Sequence, residues 1–213
     1  MIDYDLLLEN GYFELSVQDS ELYSIAKRLG EIQPSRIDGP DIDLIQPKTI
    51  DEAHPHSLSA NYGTGTLPFH TDGAYFKRPP KYIILRCLKI SSNKATPTIL
   101  INPLKEMEEQ DADWLKYETW KVKSRSGIFY TSVLNTNITD EQIIRYDPVC
   151  MKPAYDMKAI EKLMAIFEKC NKTYINWVEN KTVIINNWKL LHFRPSVDKH
   201  EINYRTLQRV MIL

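Results

Sequence analysis

The stretch YIILRCLKI, residues 82–90, is dense in β-branched and aromatic residues and predicts a strand. Similar runs predict further strands at residues 98–101, 127–134, 182–186 and 205–213. Helical spacing of apolar residues predicts helices at residues 20–29, 103–110, 113–120 and 157–170. Because strands and helices do not alternate regularly, we expect a mainly β fold, a sandwich or barrel that carries peripheral helices. Residues 33–68, rich in Pro, Gly and Asp, predict irregular structure with one short strand.

The composition is that of an ordinary globular protein. The chain has 213 residues, 43% of them apolar and 26% charged, and its formal net charge is −1. Because no repeat, linker or low-complexity tract divides the sequence, we expect one domain over residues 1–213. The near-neutral charge and the absence of a long apolar run argue against a nucleic-acid or membrane partner. A homo-oligomer is compatible with the sequence.

The cysteines and the N-terminus bear on location. Cys87, Cys150 and Cys170 are odd in number and widely spaced, which argues against a disulfide framework and a zinc knuckle. The N-terminal stretch carries Asp3 and Asp5 and lacks the basic start of a signal peptide. We therefore expect a reducing, cytoplasmic setting.

The segment LPFHTDG, residues 67–73, places His70 and Asp72 two residues apart. On an extended strand, residues i and i+2 point to the same face, so an imidazole and a carboxylate can reach one metal ion. Alone the pair is a weak signal, since a surface His beside an Asp often caps a turn. A second imidazole would complete the two-His, one-carboxylate set that is typical of non-heme iron(II) oxygenases. The pair His54 and His56 has no third ligand at useful spacing and predicts only a loop.

The second half of the chain supplies the missing groups. In IINNWKLLHFR, residues 184–194, a buried strand and a polar break precede His192. Arg205 and Arg209 follow on the last predicted strand. The planar guanidinium of Arg can bind a carboxylate through two hydrogen bonds, which suits a dicarboxylate cosubstrate. Residues i and i+4 of a strand share a face, so both side chains can point into one cavity. The competing interpretation, a solvated charge on an edge strand, is disfavoured by the apolar residues around them.

Together these motifs resemble the TauD/TfdA-like 2-oxoglutarate oxygenases and, within them, the clavaminate-synthase-like amino-acid hydroxylases. The order and spacing agree with the family from about residue 58 to the C-terminus. The matching stretches are FHTDGAY (69–75), RPPKYIILRC (78–87), NNWKLLHFR (186–194) and YRTLQRV (204–210). The resemblance implies a double-stranded β-helix (jelly-roll) core.

The resemblance also implies that His70, Asp72 and His192 bind iron(II). One departure lies beside the last ligand, where the family's common H-G-R is His-Phe-Arg and Phe193 places a bulky ring next to the metal. A second departure is that the chain is short for the family, so the lids and insertions that build a substrate pocket are reduced.

The resemblance assigns the cosubstrate and substrate contacts as well. Arg205 is expected to bind the distal carboxylate of 2-oxoglutarate, and a Thr usually shares that task. Thr98 is the better candidate for that Thr, and Thr96 is the alternative. Arg209 matches the position that binds the substrate's carboxylate in the amino-acid hydroxylases.

These features lead us to expect an iron(II)- and 2-oxoglutarate-dependent dioxygenase, which uses dioxygen to hydroxylate or desaturate an unactivated carbon. The expected substrate is a small carboxylate-bearing molecule, an amino acid or derivative in specialised metabolism. Two alternatives stay open: a taurine-type sulfonate or organic-acid dioxygenase, and a catalytically silent jelly-roll binding protein. A carboxylate at Asp72 favours hydroxylation over halogenation, because halogenases of this superfamily have a small residue there.

Overall fold

A computed structural model describes residues 2–55, 57–90, 95–198 and 205–213. The helices are α1 (Tyr4–Asn10), α2 (Asp19–Leu29), α3 (Leu58–Tyr62), α4 (Pro103–Glu106), α5 (Glu109–Tyr117) and α6 (Ala159–Lys169). The first strands are β1 (Tyr12–Ser16), β2 (Asp43–Ile45), β3 (Leu67–His70), β4 (Tyr82–Lys89), β5 (Thr98–Ile101), β6 (Trp120–Ser124) and β7 (Gly127–Thr131). They are followed by β8 (Leu134–Thr136), β9 (Gln142–Ile144), β10 (Met151–Pro153), β11 (Thr173–Ile175), β12 (Lys181–Asn186), β13 (Leu191–Arg194) and β14 (Thr206–Ile212).

Two antiparallel sheets form the centre of the fold. One has the order β1-β12-β4-β14-β2 and the other β11-β5-β13-β3. Their facing sides share one apolar cluster, to which the first sheet contributes Leu85, Cys87 and Val183 and the second contributes Leu100 and Ile175. The smaller sheets β10-β6-β7 and β8-β9 extend this core. The expected mainly β, double-stranded β-helix fold is therefore confirmed.

Helices cover the outer faces of both central sheets. Leu22 and Ala26 of α2 pack against Ile84 and Val210 on the outer face of the five-stranded sheet. On the far side of the four-stranded sheet, α6 buries its apolar stripe in a separate cluster. Because β4 is covered on both faces, its consecutive residues Ile83, Ile84 and Leu85 are all buried and apolar, which explains the apolar run at the start of this strand.

Several predicted boundaries needed correction. The predicted helix 113–120 is shifted, because α5 ends at Tyr117 and a strand, β6, starts at Trp120. In β6 the burial alternates, with Trp120 and Val122 inside and the lysines between them outside, as a half-buried strand requires. The predicted strand 127–134 ends at Thr131. Neither α1 nor β1 was predicted.

Two further expectations concern the described residues. Cys87, Cys150 and Cys170 are free cysteines. Within the described ranges, no helix has both the length and the apolar character needed to cross a membrane.

Candidate metal centre

The fold brings the three predicted metal ligands together between the two central sheets. One ligand atom from each of His70, Asp72 and His192 lies within 4.8 Å of the others. The two histidines are directly opposed in the β3–β13 pairing, and their ring centroids are 4.1 Å apart. His192 Nε2 lies 3.6 Å from Asp72 Oδ2. All three residues are buried, with 5%, 7% and 6% of their surface exposed.

The reason why His70 and Asp72 converge differs from the predicted one. We expected both on one strand, but β3 ends at His70, and Asp72 lies in the turn that follows. The next residue, Gly73, has φ +68°, and a Cβ there would lie 2.7 Å from Pro80 Cδ. Only glycine fits this left-handed and crowded position. The turn, rather than strand alternation, therefore aims the carboxylate at the imidazoles.

Hydrogen bonding and burial give the three ligands the chemical states that a metal needs. His70 Nδ1 lies 2.8 Å from the carbonyl of Pro68, a bond that requires the proton on Nδ1 and leaves the Nε2 lone pair for a metal. Burial lowers the pKa of His192 to about 3, so its imidazole is neutral. Burial alone would raise the pKa of Asp72, but Arg209 and the two imidazoles outweigh it and hold that pKa low. The site thus offers two imidazoles and one carboxylate.

Asn187 clamps the backbone of Asp72. Its side-chain oxygen accepts from the Asp72 N–H at 3.1 Å, and its side-chain nitrogen donates to the Asp72 carbonyl at 2.9 Å. The same nitrogen donates to the Pro80 carbonyl at 2.9 Å. Asn187 thereby closes the turn around the metal ligand. From the sequence, Asn187 was predicted only as part of a polar break, and its position between a buried strand and His192 was the available signal.

Arg209, the predicted contact for a substrate carboxylate, lies at the site, where it already bonds two carboxylates of the protein. Its Nη1 donates to Asp72 Oδ1 at 2.7 Å, and its Nη2 donates to Asp43 Oδ2 at 2.8 Å. Burial alone would lower the pKa of Arg209, but these carboxylates raise it well above its ordinary value. Tyr75 lies close to the same charges, and burial raises its pKa to about 12. Nothing in the sequence marked Asp43, which falls in the stretch predicted to be irregular.

Thr98 and Arg205, the residues predicted to contact 2-oxoglutarate, are both buried. Thr98 accepts a hydrogen bond from Trp177 Nε1 at 3.2 Å, so its own hydroxyl proton stays available to another acceptor. Trp177 belongs to the apolar cluster that also contains Cys87. Burial raises the pKa of the Cys87 thiol, and the charge of Arg205 opposes this rise, which places Arg205 near that cluster. Thr96, by contrast, donates at 3.4 Å to a backbone carbonyl beyond β13.

Strand register places these groups on one face. His192 is opposite Leu100 in the β13–β5 pairing, and directly opposed residues of neighbouring strands point to the same side. Thr98 lies two residues before Leu100 and therefore shares its face. In the other sheet, Arg209 is opposite both Leu85 and Asp43.

The two residues after His192 have structural contacts. Phe193 points to the outer face of the sheet, where its ring packs edge-on against Phe69 at 4.6 Å between centroids. The bulky side chain therefore leaves the metal position free. Arg194 donates through Nη2 to the carbonyls of Gly63 and Gly65, at 3.1 and 2.7 Å.

The chain has the double-stranded β-helix architecture, and this fold gathers two imidazoles and one carboxylate at one place. A family model described as "Taurine catabolism dioxygenase TauD, TfdA family" matches residues 6–96, which include His70 and Asp72. The predicted resemblance is confirmed by this match. Since the match ends at residue 96, the places of His192 and Arg205 rest on the geometry above.

Individual proteins match over nearly the whole chain. The chain is 27% identical to 3-((Z)-2-isocyanoethenyl)-1H-indole synthase of Fischerella ambigua (strain UTEX 1903), with 99% of this chain and 83% of that protein covered. Asparagine oxygenase in complex with Fe(II), 2S,3S-3-hydroxyasparagine and succinate matches with a TM-score of 0.78 at 18% identity, covering 99% of this chain and 77% of the other. The non-heme iron oxygenase OrfP in complex with Fe and alpha-ketoglutaric acid matches with a TM-score of 0.73 at 17% identity, covering 98% and 76%.

Proposed function

We propose that this protein is an iron(II)- and 2-oxoglutarate-dependent oxygenase that acts on a small carboxylate-bearing substrate, an amino acid or a derivative of one. The observation that carries the proposal is the convergence of two imidazoles and one carboxylate in a buried site. Two-His, one-carboxylate sets with open positions suit non-heme iron(II). The asparagine oxygenase and OrfP that share the fold hold Fe(II) or Fe in their structures.

His70, Asp72 and His192 are the proposed iron ligands. When bound, iron would supply the oxidising chemistry, coupling conversion of 2-oxoglutarate and dioxygen into succinate and carbon dioxide to oxidation of an unactivated carbon. The protein's part is to orient the donors and to keep the site dry. The bond from His70 to the Pro68 carbonyl serves the first purpose, since it fixes the tautomer and the ring plane.

Arg205 and Thr98 are the proposed contacts for the distal carboxylate of 2-oxoglutarate. A buried guanidinium can bind a carboxylate through two parallel hydrogen bonds, and the Thr98 hydroxyl can donate a third. Thr98 is preferred to Thr96 because it shares the interior face with His192 and Leu100. OrfP, of the same fold, binds alpha-ketoglutaric acid in its structure.

Arg209 is the proposed contact for the carboxylate of the substrate. Within the described residues its Nε has no hydrogen-bond partner, so a donor remains after both carboxylates are bound. A taurine-type sulfonate would satisfy the same donor, and this is the alternative substrate. Because the proposed metal ligand Asp72 is a carboxylate, hydroxylation or desaturation is the favoured reaction.

We also propose one domain over residues 1–213 and a cytoplasmic location, the latter supported by the free cysteines.

The first test is anaerobic addition of Fe(II) and 2-oxoglutarate to the purified protein. A visible charge-transfer band should form, because the cosubstrate chelates iron in the proposed site. The Asp72→Ala variant, folded by circular dichroism, is the control and should give no band. If the folded wild type gives no band, the oxygenase proposal fails and the catalytically silent binding protein becomes the better hypothesis.

The second test addresses the substrate. The enzyme is incubated aerobically with Fe(II), 2-oxoglutarate and a panel of amino acids, their N-modified derivatives and sulfonates, and succinate is measured. A substrate should raise succinate production and appear in the mass spectrum with one added oxygen or two fewer hydrogens. Turnover of the sulfonates alone would replace the amino-acid assignment by the taurine-type one.

A further inference from the structure

Asp43 and Arg209 form a continuous ionic chain with the proposed iron ligand Asp72. Asp43 lies on β2 directly opposite Arg209 on β14, so the strand register itself brings the two side chains together. Arg209 then bonds Asp43 Oδ2 through Nη2 and Asp72 Oδ1 through Nη1. The Arg209 and Asp43 side chains are only 21% and 14% exposed. The ion pair is therefore largely shielded from solvent. Ion pairs that are shielded in this way are screened less by salt than ion pairs on the surface.

The ionic chain of Asp43, Arg209 and Asp72 leaves one carboxylate oxygen of Asp72 without a bond to Arg209. Its Oδ2 faces His192 Nε2 at 3.6 Å, while Oδ1 accepts the hydrogen bond from Arg209 at 2.7 Å. A carboxylate with one oxygen held in this way would present its other oxygen to a metal. Together with the two imidazoles it would form a two-His, one-carboxylate set, which suits an iron(II) with open positions for the cosubstrate and dioxygen.

Arg209 needs a second anchor to perform this task, and Asp43 provides it. A long arginine side chain with one partner keeps much of its rotational freedom, whereas a guanidinium fixed at both Nη atoms has one orientation. Asp43 is itself held, because its Oδ1 accepts a hydrogen bond from Ser35 Oγ at 3.1 Å. The carbonyl of Ser35 accepts from the Tyr75 hydroxyl at 2.6 Å, which connects this segment back to the metal-binding turn.

We propose that Asp43 is a positioning residue for the metal ligand Asp72, acting through Arg209. The inference rests on the proposed metal centre but not on the identity of the substrate. It adds a role to Arg209, whose buried Nε has no hydrogen-bond partner within the described residues. It also gives the β2 strand, which lies at the edge of its sheet, a direct part in the metal site.

The test is a Co(II) titration of the apo-protein, in which visible d–d absorption reports both affinity and ligand geometry. Asp43→Asn keeps the shape of the side chain but removes the charge that anchors Arg209. We expect the apparent Kd for Co(II) to rise about tenfold, the usual size of losses around metal ligands, together with an altered visible spectrum. Asp41→Asn is the matched control: it removes the same charge two residues away, from an exposed side chain that bonds Tyr23.

A purely structural role of Asp43 would lower the thermal midpoint without changing the Co(II) spectrum of the folded protein, and this result would overturn the proposal. Arg209→Lys gives a second measurement if Asp43→Asn does not fold. Lysine keeps the charge but cannot bond both carboxylates in the same way, so the spectrum should change as well. Wild-type affinity and spectrum in Arg209→Lys would likewise overturn the proposal. Failure of the wild type to bind Co(II) would refute the metal centre itself, which is a distinguishable result.

Discussion

His192 lies in a central strand, whereas Asp72 lies in a turn just beyond the end of β3. Strand β13 is paired on both sides, with His192 opposite His70 in one neighbour and opposite Leu100 in the other. The position of His192 is thus fixed by two backbone ladders, and within the described residues its Nδ1 has no hydrogen-bond partner. Asp72 lacks such a ladder and is held by the side chain of Asn187 instead.

The candidate metal centre thus combines two kinds of support. A ligand on a doubly paired strand inherits its position from the sheet, so its neighbours are replaceable as long as the strand pairs. A ligand on a turn depends on specific side-chain hydrogen bonds, so single substitutions nearby should displace it. Metal affinity should therefore tolerate substitutions next to His192 better than substitutions of the side chains that hold Asp72.

The largest effect on activity is expected when a ligand side chain is itself removed. These variants test whether the strand ligands and the turn ligand are equally necessary. His70→Ala, Asp72→Ala and His192→Ala should each reduce 2-oxoglutarate-dependent succinate production to the no-enzyme background, since two ligands do not hold iron(II) in an open site. His54→Ala removes an imidazole from an exposed loop and should leave activity unchanged. Full succinate production by any of the three variants would refute its assignment as a ligand.

The next largest effect is expected at the proposed 2-oxoglutarate contacts, which belong neither to the strand ligands nor to the turn ligand. Substitutions there separate cosubstrate binding from metal binding. Arg205→Gln should raise the Kd for 2-oxoglutarate by about 100-fold, because a charge-assisted pair of hydrogen bonds is lost, while the Kd for Co(II) stays unchanged. Thr98→Val should raise the Kd for 2-oxoglutarate by about fivefold, and Thr96→Val should not change it. The reverse order for the two threonines would move the assignment to Thr96. Arg194→Gln serves as the charge-matched control.

Asn187→Ala tests the side of the site that depends on side chains. It leaves the N–H and carbonyl of Asp72 and the carbonyl of Pro80 without their buried partner, so unfolding free energy should fall by about 3 kcal/mol. The Kd for Co(II) should rise about tenfold as the turn loosens. Asn186→Ala, which removes one hydrogen bond to the Trp188 N–H, should cost stability but not metal affinity. Equal metal affinities in the two variants would remove the basis for calling Asn187 a clamp.

The smallest effect is expected beside His192, where the backbone ladders dominate. Phe193→Leu removes the edge-on ring contact with Phe69 and should lower unfolding free energy by about 1 kcal/mol. The Kd for Co(II), measured by the same titration, should stay within about twofold of the wild type. A tenfold loss of metal affinity would mean that packing, rather than strand pairing, positions His192.

The sequence predicted the parts of this molecule that local pattern determines. The apolar run of β4, the spacing of His70 and Asp72, and the position of His192 before two arginines all follow from short-range patterns. The α5–β6 boundary was misplaced because Trp120 fits both a helical stripe and an alternating strand, and only the packing of β6 against β7 decides between them. Asp43 and Asn187 were missed because their partners lie 166 and 115 residues away in the chain, beyond the reach of any local pattern.

The same long separations couple the metal centre to folding. The bonds that join Asp72 to Asn187 and to Arg209 close loops of 115 and 137 residues, and such non-local contacts form late because their loop-closure entropy must be met first. The contacts that hold Asp72 are therefore complete only in the native fold, when β14 has docked. A metal that binds the native state alone stabilises it by about 1.4 kcal/mol for each tenfold excess of free metal over its Kd. A metal bound at the proposed site would therefore shift the folding equilibrium of this chain toward the native state.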